Sequence, residues 1–429
     1  MKILRTTDRN FRYDFGKVYK RVADVPESIT KTVSAILDDV KRIGDEALFK
    51  HTEKFDNHSI SLKTVEVSAK EKSAALKKVS SKDMEALKLA AKRIEEFSKQ
   101  HLEKSWETKK DDVTLGLRYS PLNKVGIYVP GGKAAYPSSV LMSAIPARVA
   151  GVPEIIMCSP WPHGDTSPAV LAAAKIAGVD RVFKVGGAQA IAAMAYGTKS
   201  IPQVDKIVGP GNVYVTWAKK MVFGDVDIDM LAGPTEICIL ADGSVSPSYV
   251  AADLLAQAEH DPLASPLLIT ENSNYASRVE GEVRRQLLYL ERKAIASESI
   301  QKRALIVLVR NMQEAIDLVN EMAPEHLELA LKNPESYVDK IKNAGAIFMG
   351  AYTPETIGDY IAGPSHVLPT QGTARFFSLL RASDFLKATS IISMSRKAFE
   401  KLGPVASRLA RLEGLTAHAN AVDIRLKGE

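Results

Sequence analysis

The amino-acid sequence predicts an α/β protein built on parallel β-sheets. Short apolar runs rich in β-forming residues alternate with helical segments, and the runs recur about 20 to 30 residues apart, which is the spacing of βαβ units. The chain has 429 residues, of which 45% are hydrophobic and 25% are charged. That length exceeds one ordinary core, and that balance is typical of a folded protein.

The predicted strands fall into two series, which indicates two sheets. The first series comprises residues 125–129, 154–159, 181–185 and 206–208. The second series comprises residues 236–240, 267–270, 305–309 and 346–349, with helices predicted at 248–259, 275–290 and 312–322. Gly233 and Pro234 lie between the two series. Helices on the faces of two mostly parallel sheets account for this alternation.

Both ends of the chain are helical in pattern. Residues 27–52 and 69–101 carry apolar positions at three- and four-residue spacing. Residues 396–412 are also predicted to be helical, and a polar tail follows them. The tail has too little apolar surface to fold alone, so we expect it to dock on its own chain or on a neighbour.

Charge and cysteine content exclude several classes of protein. The formal net charge of +6 comes from 57 basic and 51 acidic residues interleaved along the chain, so we expect no nucleic-acid partner. There is no apolar run of membrane-spanning length and no signal-peptide pattern at the start, which indicates a cytoplasmic protein without a membrane partner. Cys158 and Cys238 lie in predicted buried strands, so we expect reduced core residues rather than a disulfide or a thiolate metal site.

Three glycine-rich turns directly follow predicted strands. They are VPGG at 129–132, VGGAQ at 185–189 and VGPGN at 208–212. Glycine there lets the backbone approach a ligand, and the next helix start offers free N–H groups to phosphate. None of the turns is G-x-G-x-x-G, so a nucleotide site and ordinary strand-to-helix turns both stay open. The polar side chains at these turns are those of Tyr128, Gln189 and Asn212.

Gln257 and His260 end a predicted helix in the segment QAEHD. Side chains three residues apart point from the same helix face, so this pair has the spacing to hold one metal ion. An exposed polar helix end also explains the two residues.

Two further segments pair an acid with an imidazole. Glu325 and His326 follow Pro324 and offer two bases, but neighbouring side chains of an extended strand point to opposite sides, so both reach one substrate only if the chain bends. A structural Glu–His pair is the alternative. Asp359 and His366 lie in a stretch broken by glycine and proline, where we expect no regular element.

The polar tail adds one more acid and one more imidazole, Glu413 and His418. Gln257, His260, Asp359 and His418 together form a nitrogen and oxygen donor set suited to Zn²⁺ or Mn²⁺. The residue pattern alone does not establish that the four converge.

These segments resemble the histidinol dehydrogenase family in order, spacing and flanking residues. The matching motifs are GIYVPGG (126–132), GGAQA (186–190), GPGN (209–212), AGPTE (232–236), QAEHD (257–261), PEHLEL (324–329), the stretch 358–370 and GLTAH (414–418). Eight collinear motifs spread over nearly the whole chain are not expected by chance. One departure is Thr235, which stands where the family carries a serine and keeps its hydroxyl.

The resemblance implies two Rossmann-like parallel-sheet domains, a helical N-terminal segment and an extended, domain-swapped C-terminal tail. The expected N-terminal segment is 1–24, and the main α/β domain, which carries most of the site, is 25–128 plus 236–380. The second α/β domain, which contacts NAD, is expected at 129–235. The tail, 381–429, is expected to cross to the partner subunit of a homodimer with shared active sites.

The resemblance also implies the site residues. One zinc ion per subunit is expected on Gln257, His260, Asp359 and His418, and NAD contacts are expected from Tyr128, Gln189 and Asn212. The residues expected to surround the substrate L-histidinol are Thr235, Gln257, His260, His326, Asp359, His366, Glu413 and His418. Glu325 and His326 are the expected catalytic bases.

The implied reaction oxidises L-histidinol through L-histidinaldehyde to L-histidine with two NAD⁺, the last steps of histidine biosynthesis. Zinc is expected to position the substrate while His326 removes the hydroxyl proton and Glu325 activates water. One alternative is a related zinc- and NAD-dependent dehydrogenase acting on another polar alcohol or diol. Alternatives from other classes are a zinc hydrolase that uses Glu325 without a nucleotide, and a non-catalytic protein that binds a metal or a nucleotide.

Overall fold

The computed structural model describes residues 1–18, 25–131 and 136–428, which belong to two structural units. The first unit comprises Met1–His101 and Leu122–Phe385, and the second comprises Leu102–Pro121 and Leu386–Glu429. Of the predicted glycine-rich turns, Gly132 lies outside the described residues.

The strands of the described residues are, in chain order, β1 (Lys2–Arg5), β2 (Trp106–Lys110), β3 (Val113–Pro121), β4 (Lys124–Tyr128), β5 (Glu154–Cys158), β6 (Arg181–Phe183), β7 (Lys206–Val208), β8 (Asp227–Ile228), β9 (Glu236–Ala241), β10 (Ser265–Thr270), β11 (Leu305–Leu308), β12 (His326–Ala330), β13 (Ala346–Met349) and β14 (Leu386–Met394). The α-helices are α1 (Phe11–Val18), α2 (Glu27–Ile43), α3 (Asp45–Asp56), α4 (Ala69–Lys78), α5 (Ser81–Lys99), α6 (Pro137–Val149), α7 (Pro168–Ile176), α8 (Gly187–Tyr196), α9 (Val213–Val222), α10 (Pro247–Ala258), α11 (Ser273–Leu287), α12 (Lys293–Lys302), α13 (Met312–Met322), α14 (Glu335–Val338), α15 (Glu355–Ile357), α16 (Arg396–Leu412) and α17 (Thr416–Lys427).

The larger sheet of the first unit has six parallel strands in the order β1-β11-β10-β9-β12-β13. Residues of β9 alternate between two cores. Ile237 and Ile239 pack in a cluster with α10, whereas Cys238 and Leu240 pack in a cluster with α13 on the opposite face. Burial of both faces is the expected state of a parallel sheet, and it places β9 and its neighbours out of contact with water.

The smaller sheet of the first unit has five parallel strands in the order β6-β5-β4-β7-β8. The prediction of an α/β protein with two parallel sheets is therefore confirmed. The four strands predicted in the first series are β4 to β7, with ends within two residues of those expected. β4, at the predicted boundary between the two α/β domains, pairs with β5 and β7 in this smaller sheet.

The sequence did not predict β1 or β12. β12 lies between β9 and β13, and all five of its residues are buried. Its residues His326 and Glu328 interrupt the continuous apolar run by which a strand buried on both faces is recognised. This strand carries His326 of the candidate site. It is identified as a strand only by its pairing with β9 and β13.

The second unit contains an antiparallel sheet in the order β14-β3-β2 together with α16 and α17. The helix predicted at 396–412 is α16. The polar end of the tail is helical as α17 rather than extended, and it packs closely against α16 at Gly403. A Cβ atom at Gly403 would lie 3.2 Å from Val422 and 3.3 Å from Leu426.

Two expectations about composition can be compared with the structure. Cys158 and Cys238 are buried and unlinked, as predicted, and burial raises the pKa of both thiols. Among the described helices, none has the length and apolar character required to cross a membrane.

Candidate active site and metal centre

Both candidate bases lie at the amino end of β12, beside the start of the adjacent central strand β9. β12 begins at His326, which pairs in register with Ile237 of β9, and Glu325 immediately precedes it. Glu325 is outside the regular strand, so its side chain is not forced to the opposite face. The Oε2 atom of Glu325 lies 3.7 Å from Nδ1 of His326. The bend required for both bases to serve one site is therefore present.

His326 has one satisfied and one free ring nitrogen. Its Nδ1 lies 3.0 Å from the backbone carbonyl oxygen of Glu236, which can only accept, so Nδ1 carries the proton. Nε2 is buried without a hydrogen-bond partner among the described residues, and it lies 3.6 Å from Oε1 of Glu355 and 3.8 Å from Oδ1 of Asp359. With the side chain only 3% exposed, this unpaired acceptor is available to a proton that arrives with a ligand.

Glu325 is buried among hydrogen-bond donors. Its Oε2 accepts from the Thr235 hydroxyl at 2.7 Å and from the backbone N–H of Glu236 at 3.0 Å. Burial raises the pKa of Glu325 to about 8, although His326 and the Thr235 hydroxyl oppose the rise. A carboxyl group with such a pKa can act as a general base near neutral pH, because its pKa lies close to the working pH.

Three side chains form a candidate metal group in the described part of the chain. One ligand atom from each of His260, Glu355 and Asp359 lies within 4.8 Å of the others. Burial lowers the pKa of His260, which keeps its imidazole neutral and able to coordinate a cation. Nitrogen and carboxylate oxygen donors at this separation fit a zinc ion.

Two local predictions about these ligands were wrong. His260 lies in the turn after α10, which ends at Ala258, because the helix is capped at Glu259. Asp359 lies in a regular element after all, a π-helical turn spanning Gly358–Ala362 that continues from α15. The wide turn fits here because Gly358 has no Cβ, which would lie 2.4 Å from the Phe348 ring.

Glu355 was not among the site residues predicted from the sequence. Its carboxyl group is buried and it precedes Asp359 by four residues, which places the two on one side of a helical turn. That spacing was the available signal, but carboxylates four residues apart are common on exposed helices. Only burial distinguishes this pair.

Gln257 connects the metal group to the base pair. With its amide nitrogen toward Glu355, it donates to both carboxyl oxygens at 2.7 and 2.8 Å, and its carbonyl oxygen accepts from the backbone N–H of Glu236 at 3.0 Å. This is the orientation in which every polar atom of the amide meets a complementary partner. The amide also contacts the Thr235 hydroxyl, which bonds to Glu325. Gln257 therefore links Glu355 of the metal group to Glu325 of the base pair.

His366 is held from two sides. Its Nδ1 donates to the backbone carbonyl oxygen of Asp359 at 3.1 Å, so Nε2 accepts from the Ser139 hydroxyl at 3.2 Å. Burial lowers the pKa of this imidazole, in keeping with its neutral form. Since Ser139 lies on α6, the contact ties the π-helical turn to the helix that follows β4.

The glycine-rich turns lie at the carboxyl ends of β4, β6 and β7. The Tyr128 hydroxyl accepts from the backbone N–H of Gly187 at 3.1 Å. Gln189 is 1% exposed, and both polar atoms of its amide are without a hydrogen-bond partner among the described residues. Asn212 caps α9 by accepting from two backbone N–H groups. The unpaired amide of Gln189 fits a nucleotide ligand, because buried polar groups are normally bonded.

The turn after β7 has the tightest backbone. Gly209 has φ +113°, and a Cβ atom there would lie 2.1 Å from the carbonyl oxygen of Tyr128. Its N–H donates to Asp229 at 2.7 Å, and its carbonyl oxygen accepts from the Lys219 ammonium at 2.9 Å. Lys219 and Asp229 form a buried ion pair. Because this pair binds both the N–H and the carbonyl oxygen of Gly209, it restrains the backbone of the turn.

The remaining candidate residues belong to the second unit. Glu413 caps the carboxyl end of α16, and His418 lies in the first turn of α17. Both side chains are exposed.

Comparisons with known proteins concern the whole chain. A family model described as histidinol dehydrogenase matches residues 19–426. The histidinol dehydrogenase of Syntrophotalea carbinolica is 53% identical over 428 residues, which cover 100% of this chain and 99% of the relative. That of Geobacter metallireducens is 49% identical over 431 residues, with coverage of 100% and 99%. The crystal structure of histidinol dehydrogenase from Elizabethkingia anophelis matches with a TM-score of 0.94 and 36% identity, covering 100% of this chain and 98% of that one.

The Gly209 turn yields a prediction about the nucleotide site. In Gly209→Ala the new Cβ displaces the backbone of Tyr128, so we expect the Kd for NAD⁺ to rise about 10-fold or more. Gly224→Ala is the control, because Gly224 has φ +107° but open space around it, so that it shares the backbone strain without the clash. Calorimetric titration measures both variants, and equal NAD⁺ affinity in the two would contradict the prediction.

Proposed function

Because the chain belongs to the histidinol dehydrogenase family, we propose that it oxidises L-histidinol through L-histidinaldehyde to L-histidine with two NAD⁺. These are the last steps of histidine biosynthesis. The observation that carries the proposal is the buried His326, whose unpaired Nε2 faces Glu355 and Asp359 while Glu325 lies beside its other nitrogen. This arrangement joins two bases to a group of metal-ligand atoms.

The reaction has two oxidation steps. Conversion of an alcohol to an aldehyde removes two electrons and transfers one hydride to NAD⁺, and a proton leaves the hydroxyl group. Addition of water to the aldehyde gives a hydrate, and removal of a second hydride and proton from the hydrate gives the acid. The site therefore needs one base for each step.

His326 is the proposed base for the alcohol. Its Nδ1–H is held by the carbonyl of Glu236, so the lone pair of Nε2 is directed toward Glu355 and Asp359. From there it accepts the hydroxyl proton as hydride leaves the adjacent carbon for the nicotinamide. The neighbouring carboxyl groups of Glu355 and Asp359 stabilise the imidazolium that forms.

Glu325 is the proposed base for the aldehyde step. In its ionised form it takes a proton from water, which then attacks the carbonyl carbon. The Thr235 hydroxyl and the Glu236 N–H, both bonded to Oε2, hold the carboxyl group in one orientation and leave Oε1 for water. Thr235 retains the hydroxyl donor of the family's serine, and this contact makes the substitution conservative.

We propose one zinc ion per subunit, bound by Gln257, His260 and Asp359 together with His418 of the partner subunit. When bound, zinc positions the amino and imidazole nitrogens of the substrate. The proximity of His260 and Asp359 supports this assignment. Gln257 lies beside Glu355 of the same group, and its amide would turn its oxygen toward the ion when zinc is bound.

The other substrate and cofactor contacts follow the same family. We propose that Tyr128, Gln189 and Asn212 contact NAD⁺, with the unpaired amide of Gln189 as support. The proposed substrate-binding residues are Thr235, Gln257, His260, His326, Asp359, His366, Glu413 and His418. The buried, unlinked cysteines are compatible with the proposed cytoplasmic location.

A homodimer with shared active sites is also proposed. α16 carries an exposed apolar stripe at helical spacing, formed by Leu402, Val405, Leu409 and Leu412. Apolar patches of this kind mark protein–protein contacts. A second copy of the chain is the proposed partner, and its tail brings Glu413 and His418 to the site.

Counting the reduced cofactor tests the reaction and the role of Glu325. With excess NAD⁺, the wild-type enzyme is expected to form two NADH per L-histidinol. Glu325→Gln slows the aldehyde step about 10²- to 10⁴-fold, so it forms one NADH quickly and leaves the aldehyde. His326→Asn is the matched variant and stops before the first NADH. Equal loss of both steps in Glu325→Gln would contradict the assignment.

The pH dependence of aldehyde oxidation follows from the raised pKa of Glu325. The base must be ionised, and its ionised fraction grows as pH rises through that pKa, which burial brings to about 8. A bound divalent cation lowers it, so the rate is expected to rise to a plateau with an inflection at or below about 8 and above the ordinary glutamate range. Stopped-flow absorbance at 340 nm measures it. A flat profile, or the same inflection in the residual activity of Glu325→Gln, argues against Glu325 as the base.

Hybrid dimers test the shared zinc site. Subunits with His260→Asn or His418→Asn are each expected to purify with little zinc and little activity. When the two are co-expressed, each mixed dimer has one intact site if His418 serves the partner, which restores about a quarter of wild-type activity and zinc. No recovery in isolated mixed dimers would show that both histidines act within one chain or that they do not share a site.

A further inference from the structure

Glu236, the first residue of β9, contacts both proposed bases. It is 5% exposed and lies in the centre of the six-stranded sheet, between β10 and β12. We propose that the Glu236 side chain is a positioning residue that aligns Glu325 and His326 for both oxidation steps. This inference rests on the proposed roles of the two bases.

The main chains of the two strands provide the first set of contacts. The Glu236 N–H donates to Oε2 of Glu325 at 3.0 Å, and the Glu236 carbonyl oxygen accepts from Nδ1 of His326 at 3.0 Å. One peptide segment therefore orients the carboxyl group of one base and selects the tautomer of the other. The orientation of both bases depends on where this segment lies relative to β12.

The Glu236 side chain fixes that distance. Its Oε1 accepts from the backbone N–H of Glu325 at 3.2 Å. Residues 236 and 325 thus exchange reciprocal hydrogen bonds, with each carboxyl group bonded to the other's N–H. The regular ladder between these strands begins only at the pair His326 and Ile237, so the side chain extends the pairing by one residue. Without it, the buried N–H of Glu325 loses its partner, which is unfavourable.

The same oxygen atom also anchors a loop. Oε1 of Glu236 accepts from the backbone N–H of Gln371 at 3.1 Å, and Gln371 has a left-handed φ of 55°. The preceding residue, Thr370, accepts from the Gly233 N–H at 2.6 Å. A Cβ atom at Gly233 would lie 2.4 Å from the Gln371 side chain. The loop therefore packs on 233–236 and keeps the start of β9, including Thr235, in place.

Glu236 also acts through its charge. Among the groups that shift the pKa of Glu325, the ionisable ones are the next residue, His326, which lowers it, and Glu236 on β9, which raises it. Glu355 and Asp359 face Nε2 of His326 instead. Loss of the charge alone therefore moves the acid limb of the aldehyde step, whereas loss of the acceptor oxygen removes the hydrogen bonds to Glu325 and Gln371. The charge of Glu236 and its hydrogen bonds can thus be tested separately.

Two substitutions separate positioning from a purely structural role. Glu236→Ala removes the acceptor, and we expect kcat of both steps to fall about 10²-fold, as for a misaligned base, with zinc content and the Kd for NAD⁺ unchanged. Glu236→Gln keeps an acceptor oxygen and loses the charge. We expect it to recover most of kcat and to move the acid limb of aldehyde oxidation to lower pH, because the ionised form of Glu325 becomes more stable.

The matched control is Asp205→Ala. The Asp205 carboxyl group also accepts from two backbone N–H groups at the start of a strand, those of Asn123 and Lys124, but it lies away from the site.

The outcomes distinguish this inference from the proposed function. The inference is overturned if Glu236→Ala keeps the wild-type kcat for both steps, or if Glu236→Gln is impaired as severely as Glu236→Ala and its acid limb does not move. If Glu236→Ala does not fold, kcat of Glu236→Gln decides the matter: near-wild-type values in both steps support alignment by the retained acceptor oxygen, and a loss of about 10²-fold in both steps overturns it. Suppose that Glu325→Gln loses the aldehyde step and His326→Asn loses the alcohol step, while the Glu236 variants behave as wild type. The positioning role of Glu236 is then rejected, and the proposed roles of the two bases stand. If those two variants keep both steps, the assignment of the bases fails first.

Discussion

The site depends on the burial of polar groups at the amino ends of β9 and β12. In the centre of a sheet covered on both faces, each donor and acceptor must find a partner within the protein. Thr235 and Glu236 meet that requirement for Glu325 and for Nδ1 of His326. Nε2 of His326 is left without a partner in the described part of the chain. This exception is the nitrogen atom that we propose accepts a proton from the substrate.

Carboxyl groups dominate the surroundings of that free nitrogen. Burial raises the pKa of Glu355 and of Glu328 well above the usual value, and neighbouring carboxyl groups add to the rise. The Glu355 N–H bonds to Glu328, so the group is held by backbone as well as by side chains. Burying several acids together is unfavourable unless they are protonated or matched by cations. A divalent cation and a cationic amine are therefore the ligands that this cluster of carboxyl groups binds most favourably.

In the proposed active site, the two parallel sheets contribute opposite ends of their strands. The smaller sheet offers the turns at the carboxyl ends of its strands, where parallel sheets commonly bind nucleotides. The larger sheet offers the amino ends of β9 and β12, an edge that this general rule does not indicate. His366 connects the two regions, since it bonds to Asp359 on one side and to Ser139 on α6 on the other. Side chains of the protein itself bond to the backbone at both the Gly209 turn and the start of β12.

The sequence by itself determined the α/β class, most strands of both sheets and the family, because βαβ spacing and collinear motifs are local patterns along the chain. It also identified Glu325 and His326 as an adjacent acid and imidazole. The strand that presents His326, the turn that holds Asp359, the contribution of Glu355 and the contacts of Glu236 were decided only by the tertiary structure. Those features depend on burial and on hydrogen bonds between residues about 90 positions apart, such as 236 and 325, and no local pattern encodes which distant donor a buried carboxyl group meets.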